Sequence, residues 1–311
     1  MDSQVQSATS PLPKQKNWKV WWRLTRPHTL TAAFVPVTLG TVLAMSYDST
    51  FHLLLFLAMM VASILIQIAT NLFNEYYDFK RGLDNEESVG IGGGIVRDGI
   101  QPKTIMKLAL SLYGISLLIG IYICISTSWW LALIGLGCML AGYLYTGGPV
   151  PIAYTPFGEL ASGFLMGMVI VLISFFIQTG FVSIESILTA SPIMILVGAI
   201  NLANNIRDLE GDKENGRKTL AILLGKKNAI VFLASMFIIS YVWVFMLMGF
   251  GIVSPWILLV ILSIPKAVTA VKGFIHNTAP IQMMPAMKAT SQTNTFFGLL
   301  LSIGIFLGTF I

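Results

Sequence analysis

Charged residues are scarce in this sequence. They make up 11% of the chain, while hydrophobic residues make up 55%; an average soluble domain has about 25% charged residues. This composition excludes an ordinary soluble protein. Cysteine is rarer still, since Cys124 and Cys138 are the only two and both lie in apolar segments, which excludes a disulfide framework and a cysteine-based zinc site. The chain has no similarity to a module that recognises nucleic-acid bases, so we expect no nucleic-acid partner.

Long apolar runs, by contrast, recur along almost the whole chain. A membrane-spanning helix needs about 20 mostly apolar residues, and nine segments qualify. We therefore predict an all-α, polytopic membrane protein in which residues 18–311 form one domain. Residues 1–17 lack an apolar core and a small-residue cleavage site, so they are predicted to be a disordered cytoplasmic tail rather than a signal peptide. The predicted spans are 29–46, 52–74, 104–125, 129–146, 157–179, 186–208, 229–250, 255–273 and 292–311.

Lysine and arginine are absent from every second loop between these spans. All 19 of them fall in four segments, Lys14 to Arg26, Lys80 to Lys107, Arg207 to Lys227 and Lys266 to Lys288. Positive residues concentrate on the cytoplasmic side of membrane proteins. The pattern predicts a multi-pass protein of the cytoplasmic membrane with its N-terminus inside and its C-terminus outside. The net charge of +5 is accounted for by this topology.

The few acidic residues include two matching groups at predicted cytoplasmic helix ends. Each group contains the pattern Asn-x-x-x-Asp followed by a second Asp, and the residues are Asn74, Asp78 and Asp84, then Asn204, Asp208 and Asp212. In the second group the spacing places all three side chains on one face of a continuous helix. In the first group Gly82 indicates that the helix ends before Asp84. The two spans run in the same direction, so the groups can face each other.

Carboxylates at the edge of the hydrocarbon are costly and are rarely kept without partners or a function. Mg²⁺ prefers oxygen ligands and is commonly held by one or two carboxylates together with substrate phosphates. We therefore predict that the two groups bind Mg²⁺ and a diphosphate. Neighbouring cations are candidates to bind phosphate oxygens, and they are Lys80, Arg81, Arg207, Arg217 and Lys218. For any single Asp the alternative is a solvated helix cap or ion-pair partner. Five glutamates are interpreted as solvated loop or pairing charges, namely Glu75, Glu86, Glu87, Glu210 and Glu214.

Three further features are noted. Two of them have both a structural and a functional interpretation, and the third favours a structural one. The stretch from Tyr145 to Tyr154 is either a simple turn or an uncharged wall whose tyrosine rings stabilise positive charge. The glycine-rich run from Gly90 to Asp98 is either a turn or a backbone site for an anion. Arg23 and Arg26, beside the first span, are interpreted as headgroup anchors.

The segments from Asn74 to Asp84 and from Asn204 to Asp212 resemble the two Asp-rich motifs of the UbiA superfamily of intramembrane prenyltransferases. The likeness extends from Arg26 through the last span. Glu75 stands where the superfamily usually has Asp. The first motif is therefore matched with one charge-conserving departure.

The branch that this chain resembles most is the 1,4-dihydroxy-2-naphthoate polyprenyltransferases of menaquinone synthesis. The features that favour this branch are the six-residue interval from Asp78 to Asp84, the Tyr-Thr-Gly-Gly-Pro stretch at Tyr145, and Lys218-Thr-Leu after the second motif. Tyr145 is followed by glycines and prolines, whereas many hydroxybenzoate-type relatives have Lys or Arg there.

The resemblance implies nine helices around a central cavity and a defined reaction. A polyprenyl group passes from polyprenyl diphosphate to 1,4-dihydroxy-2-naphthoate with loss of CO2 and diphosphate, giving demethylmenaquinone. Mg²⁺ is the implied cofactor. The implied catalytic residues are Asp78, Asp84, Asp208 and Asp212, which with Asn74 and Asn204 hold the metal; the implied substrate-binding residues are Asn74, Asn204, Lys80, Arg81, Arg207, Lys218 and Tyr145.

Three alternatives stay open from the sequence. The first is another branch of the superfamily, of the hydroxybenzoate, haem O or chlorophyll type, which would prenylate a different acceptor. A cation-coupled transporter also keeps intramembrane acids, although transporter sites lie near the bilayer midplane and these acids lie at helix ends. A quinone-binding scaffold does not need both acidic groups. The sequence leaves the isoprenoid length and the oligomeric state open.

Overall fold

The computed structural model describes residues 18–48, 51–84 and 93–310. Every regular element within these ranges is helical, so the all-α prediction is confirmed for them. The predicted tail of residues 1–17 lies outside the described residues, as do Glu86, Glu87 and the first glycines of the run that begins at Gly90.

Helices are labelled α1 to α11 in chain order. They are α1 (Trp18–Leu24), α2 (Thr31–Asp48), α3 (Leu53–Lys80), α4 (Pro102–Ser126), α5 (Trp130–Thr146), α6 (Gly158–Thr179), α7 (Ile184–Arg207), α8 (Leu209–Glu214), α9 (Leu220–Gly249), α10 (Pro255–His276) and α11 (Pro280–Gly308). A π-helical stretch, Gly163–Val169, lies inside α6, and α10 begins as a 3₁₀-helix over Pro255–Ser263. A short 3₁₀-helix, Pro27–Thr29, separates α1 from α2.

Six of the described helices are long and apolar enough to cross a membrane, namely α3, α4, α6, α7, α9 and α10. The segment from Trp18 to Tyr47, bent by 52°, makes a seventh if it is counted as one span. The prediction of a polytopic membrane protein is thus confirmed, but the count of nine is not. The helix α5 has 17 residues and rises only about 26 Å, against a hydrocarbon core of about 30 Å. The helix α11 carries a polar run from Thr290 to Asn294, buried except for Gln292, which lowers its mean hydropathy.

Two helices begin earlier than their apolar runs predicted. The helix α9 begins at Leu220 instead of 229 and is interrupted at Gly225, whose φ of 73° breaks the helical path. The helix α11 begins at Pro280 instead of 292, because proline suits the first helical turn. In both cases lysines interrupt the apolar pattern, Lys226 and Lys227 in α9 and Lys288 in α11, so the apolar runs began after them.

The helix α7 is the central element of the bundle. It is the most buried of the candidate spans and packs against α6, α9 and α11. Its close contact with α6 requires glycine, since a Cβ atom added at Gly167 would lie 2.5 Å from the Cα atom of Met194. Small residues allow such close approach between helices in membranes. This packing positions the end of α7, where the second acidic group lies.

Candidate active site

The first acidic group lies at the end of α3. Asn74 and Asp78 are one turn apart on this helix and are partly buried. The helix ends at Lys80, and Gly82 follows with a φ of 74°, a conformation that glycine adopts at little cost. Asp84 therefore lies beyond the helix, as predicted, and is also partly buried.

The second acidic group does not lie on one continuous helix, so that prediction is wrong. The helix α7 ends at Arg207, and Asp208 follows with φ −91° and ψ 5°. The carboxylate of Asp208 accepts a hydrogen bond of 2.6 Å from Nε of Arg207. Aspartate competes for local hydrogen bonds and is therefore favoured at helix boundaries. Asp212 then lies on the separate short helix α8.

Arg217 joins the two groups. Its Nη2 atom lies 2.8 Å from Oδ1 of Asp78, and its Nη1 atom lies 3.0 Å from Oδ1 of Asp212. All three side chains are largely buried, with 10–19% of their surface exposed. The structure therefore brings the ends of α3 and α7 together around one guanidinium group. The sequence had given Arg217 only as one of several phosphate-binding candidates.

The charges at this point are strongly coupled. Burial raises the pKa of Asp212 to about 7, and the adjacent Arg217 guanidinium acts in the opposite direction. Burial also opposes the charge of Arg217, but the carboxylates of Asp78 and Asp212 outweigh it and raise the pKa of that guanidinium. The buried carboxylates thus depend on a nearby positive charge, which is supplied by Arg217 in this structure.

The Tyr145–Tyr154 stretch packs against both groups. The Arg217 guanidinium lies 4.7 Å from the centre of the Tyr154 ring, and that of Arg81 lies 5.2 Å from the same ring. The backbone N–H of Lys218 donates to the carbonyl oxygen of Tyr154 at 2.9 Å. The stretch therefore forms a wall beside the site, and the π face of Tyr154 contacts two cations.

The other predicted phosphate partners lie at different places. Lys80 and Lys218 are exposed. Arg81 donates to the backbone carbonyl oxygens of Thr146 and Gly148, and Arg207 is buried beside Asp208. None of these four contacts Asp78 in the part of the chain that the structure describes.

Several oxygen atoms at the site are available for a hard cation. Oδ1 of Asn74 and Oδ2 of Asp212 are buried and have no hydrogen-bond partner among the described residues. Carboxylate and amide oxygens are suitable ligands for Mg²⁺. Within the same residues, no group of three or more His, Cys, Asp or Glu side chains is placed to hold a metal ion by itself, and Arg217 lies between Asp78 and Asp212. The donor atoms fit Mg²⁺ that is shared with substrate phosphates.

Glu75 is not a solvated loop charge, so that interpretation is wrong. Glu75 is only 1% exposed. Its two carboxylate oxygens accept hydrogen bonds from the backbone N–H groups of Gly93 and Ile95, at 2.9 and 3.2 Å. The glycine-rich run does bind an anion through its backbone, but the anion is this carboxylate. The loop is thereby fixed to α3 beside the first acidic group.

An apolar cavity of about 420 Å³ leads away from the acidic groups. Asn74 and Asn204 line its polar end, and side chains of α2 to α7 form its walls. Because Asn74 and Met59 both line it, the cavity extends roughly 22 Å along α3. Leu117 and Leu136 line it from α4 and α5, and both are exposed. The cavity wall is therefore open rather than closely packed at these two helices.

Arg26 lines this cavity too and is not simply a headgroup anchor. It has a φ of 49°, the only positive φ of a non-glycine residue in the described ranges. Such a conformation costs of order 1 kcal/mol, and strained residues of this kind cluster at functional sites. Arg23, which was also predicted to be a headgroup anchor, forms an ion pair with Asp98. The sequence offered one weak signal, the Pro27 that fixes the turn after Arg26.

These features define an integral membrane protein with paired acidic groups at the end of an apolar cavity. The UbiA prenyltransferase family model matches residues 33–279. The chain belongs to this family.

Two relatives cover almost the whole chain. The 1,4-dihydroxy-2-naphthoate octaprenyltransferase of Bacillus subtilis (strain 168) is 65% identical over 297 residues, which cover 96% of this chain and 95% of that protein. The protein of the same name from Escherichia coli (strain K12) is 29% identical over 305 residues, with coverage of 93% and 96%.

Solved structures share the fold. A UbiA homolog from Archaeoglobus fulgidus bound to GPP and Mg²⁺ aligns with a TM-score of 0.61 at 17% identity, covering 91% of this chain and 99% of that one. A digeranylgeranylglyceryl phosphate synthase structure aligns with a TM-score of 0.62 at 16% identity, covering 93% and 99%.

Proposed function

We propose that this protein transfers a polyprenyl group from polyprenyl diphosphate to 1,4-dihydroxy-2-naphthoate, with loss of CO2 and diphosphate, to give demethylmenaquinol, the reduced form of demethylmenaquinone. The observation that carries the proposal is the pair of acidic groups, joined by Arg217, at the end of an apolar cavity. This arrangement separates a charged layer for a diphosphate from an apolar channel for an isoprenoid. The 65% identity to a naphthoate octaprenyltransferase supports the acceptor.

In this proposal the charged layer binds the diphosphate. Asn74, Asp78, Asp84, Asn204, Asp208 and Asp212 are the residues that would hold Mg²⁺. When bound, Mg²⁺ supplies Lewis-acid stabilisation of the charge that develops on the leaving diphosphate. Lys80, Arg81, Arg207, Arg217 and Lys218 add positive charge around it. Of these five cations, Arg217 needs the smallest movement to contact the diphosphate, because it already lies between the two acidic groups.

The next layer contains the reacting carbon. Breaking the bond between the allylic carbon and diphosphate oxygen leaves positive character on the carbon, and the acceptor ring attacks it. Aromatic faces stabilise such charge, and Tyr145 lines the cavity, where its hydroxyl donates a hydrogen bond to Asn201. The apolar wall keeps water away from this carbon. The isoprenoid tail extends along the cavity, and its excess length leaves between α4 and α5 toward lipid.

We further propose nine crossings, with the N-terminus in the cytoplasm and the C-terminus outside. The distribution of all 19 Lys and Arg supports this orientation. It requires α5 and α11 to cross the membrane in addition to the seven candidate spans. In this topology both acidic groups face the cytoplasm, which is where a water-soluble naphthoate would enter.

The test is an activity assay on the full chain in lipid nanodiscs. Mg²⁺, a polyprenyl diphosphate and 1,4-dihydroxy-2-naphthoate are supplied, and product mass and diphosphate release are followed. We expect a prenylated, decarboxylated product that disappears in Asp208→Asn and persists in Glu210→Gln, an exposed acid on the neighbouring helix α8. Turnover with 4-hydroxybenzoate alone would contradict the acceptor, and no turnover with any acceptor would contradict the reaction.

A further inference from the structure

Each acidic group is preceded, one helical turn deeper in the membrane, by a second asparagine. Asn71 precedes Asn74 on α3, and Asn201 precedes Asn204 on α7. Residues three apart lie on the same helix face, and three residues correspond to a depth of about 4.5 Å. Asn71 and Asn201 are therefore equivalent positions, and both line the cavity.

The amide of Asn71 has a structural role. Its Nδ2 atom donates to the backbone carbonyl oxygen of Thr25 and to Oγ1 of Thr29, both at 2.9 Å. These bonds fix the chain between α1 and α2 to α3. The donor capacity of Asn71 is thus used within the protein.

The amide of Asn201 has a different environment. Its Oδ1 atom accepts a hydrogen bond of 2.9 Å from the Tyr145 hydroxyl, whereas its Nδ2 atom is buried and has no partner among the described residues. Gly158 packs directly against the pair, since a Cβ atom there would lie 3.2 Å from Nδ2 of Asn201 and 3.3 Å from the Tyr145 hydroxyl oxygen. An unpaired buried donor is costly. Because the Asn201 side chain also lines the cavity, a ligand oxygen in the cavity would satisfy this donor.

We propose that Asn201 is a further substrate-binding residue, whose Nδ2 group donates a hydrogen bond to an oxygen of the aromatic acceptor. The Tyr145 hydroxyl fixes the orientation of the amide for this contact. This inference rests on the proposed function, in which the acceptor ring carries hydroxyl and carboxylate oxygens. The depth favours the acceptor over the diphosphate, because Asn201 lies below the charged layer, at the level of the reacting carbon.

The kinetic test compares two Michaelis constants. In Asn201→Ala the KM for the naphthoate should rise about tenfold, the effect of losing one hydrogen bond to a charged or strongly polar group, while the KM for the prenyl diphosphate stays within about twofold. Asn201→Asp keeps an acceptor for the Tyr145 hydroxyl but removes the donor, and should show the same selective rise. A parallel rise of both constants, or a rise only for the diphosphate, would overturn the inference.

Asn71→Ala is the matched control. It should lower the thermal stability of the ligand-free protein more than Asn201→Ala does. Asn71→Ala removes two hydrogen bonds, whereas Asn201→Ala removes one, from the Tyr145 hydroxyl, together with an unpaired donor. The ratio of the two KM values should not change in Asn71→Ala. A stability loss in Asn201→Ala as large as that in Asn71→Ala would indicate a purely structural role and contradict the proposal.

Failure of the proposed function is detected separately. If the wild-type protein does not turn over the naphthoate, calorimetric titration of 1,4-dihydroxy-2-naphthoate and of 4-hydroxybenzoate onto wild type and Asn201→Ala still tests the inference. About tenfold weaker binding of either acceptor to the variant would support it. Equal affinities for both proteins, or no binding to either, would overturn it.

Discussion

Arg217 is the side chain at which the two halves of the site meet. It lies 139 residues from Asp78 along the chain, and its guanidinium also contacts Asp212. If Arg217 is removed, two carboxylates stay buried with no positive charge beside them. The free-energy cost of that loss is far larger than the net stabilisation that an intact buried ion pair provides. Arg217 therefore stabilises the metal-free site as well as contributing charge for phosphate.

We expect Arg217→Ala to destabilise the metal-free protein by about 3 kcal/mol, because two buried carboxylates lose their partner. Mg²⁺ should raise the melting temperature more in this variant than in the wild type, since the cation no longer competes with the guanidinium for the two acids. Thermal unfolding in nanodiscs with and without Mg²⁺ measures both effects.

Lys213→Ala is the control for that prediction, because Lys213 lies on the same segment and is exposed. It should change neither the melting temperature nor the Mg²⁺-dependent shift. An equal Mg²⁺ shift in Arg217→Ala and wild type would show that the cation does not bind between Asp78 and Asp212.

Short elements and their contacts determine the shape of the site. The loop from Gly93 to Ile100 is fixed at two backbone N–H groups by Glu75 and is in contact with α1, where Leu24 packs against Gly94. We expect Glu75→Ala to cost about 2 kcal/mol, since both N–H groups lose their acceptor in a buried position. Hydrogen exchange of the amides of Gly93 and Ile95 should become faster.

Glu75→Gln provides a graded comparison. Its amide retains one acceptor oxygen but replaces the other with a donor, so the stability loss and the exchange rates should fall between those of wild type and Glu75→Ala. Unchanged exchange in both variants would mean that Glu75 does not hold this loop.

The contact between α6 and α7 gives a second prediction for an element. Gly167→Ala should destabilise the protein by about 2 kcal/mol, because the added methyl group meets the Met194 backbone and forces the helices apart. Gly114→Ala on α4 is the matched control, since no atom lies within 4 Å of a Cβ added there. Melting temperatures of both variants in the same detergent test the difference. Equal losses would show that the close contact does not limit the packing.

The whole molecule is expected to cross the membrane an odd number of times. With Cys124→Ser and Cys138→Ser as the background, Ser126→Cys should react with a membrane-impermeant maleimide added to intact cells. Lys213→Cys should react only after permeabilisation. Ser126 and Lys213 are both exposed at opposite ends of the bundle in the proposed topology, so a failure to label is not explained by burial.

A tag placed after Ile311 tests the number of crossings. It should be accessible from outside in intact cells. Labelling of Lys213→Cys from outside would reverse the orientation, and a protected tag would mean an even number of spans.

The sequence by itself determined the membrane class, most of the helix positions and the six residues of the acidic groups. These properties depend on local information: apolar length sets a span, and the Asn-x-x-x-Asp pattern is visible within one helix. Local patterns also explain the misses. Lysines interrupt the first turns of α9 and α11, and the spacing of Asn204, Asp208 and Asp212 does not show that α7 ends at Arg207.

Only the tertiary structure decided which equivalent residues have different partners. Asn71 and Asn201 look alike in sequence, but only Asn71 meets Thr25 and Thr29. Glu75 was interpreted as a solvated loop or pairing charge and Arg217 as one of several phosphate-binding candidates, and only the fold shows the distant segments that each one contacts. Burial and charge pairing arise from contacts between elements far apart in the chain, so a pattern within one segment cannot show which charge will be solvated and which will hold the site together.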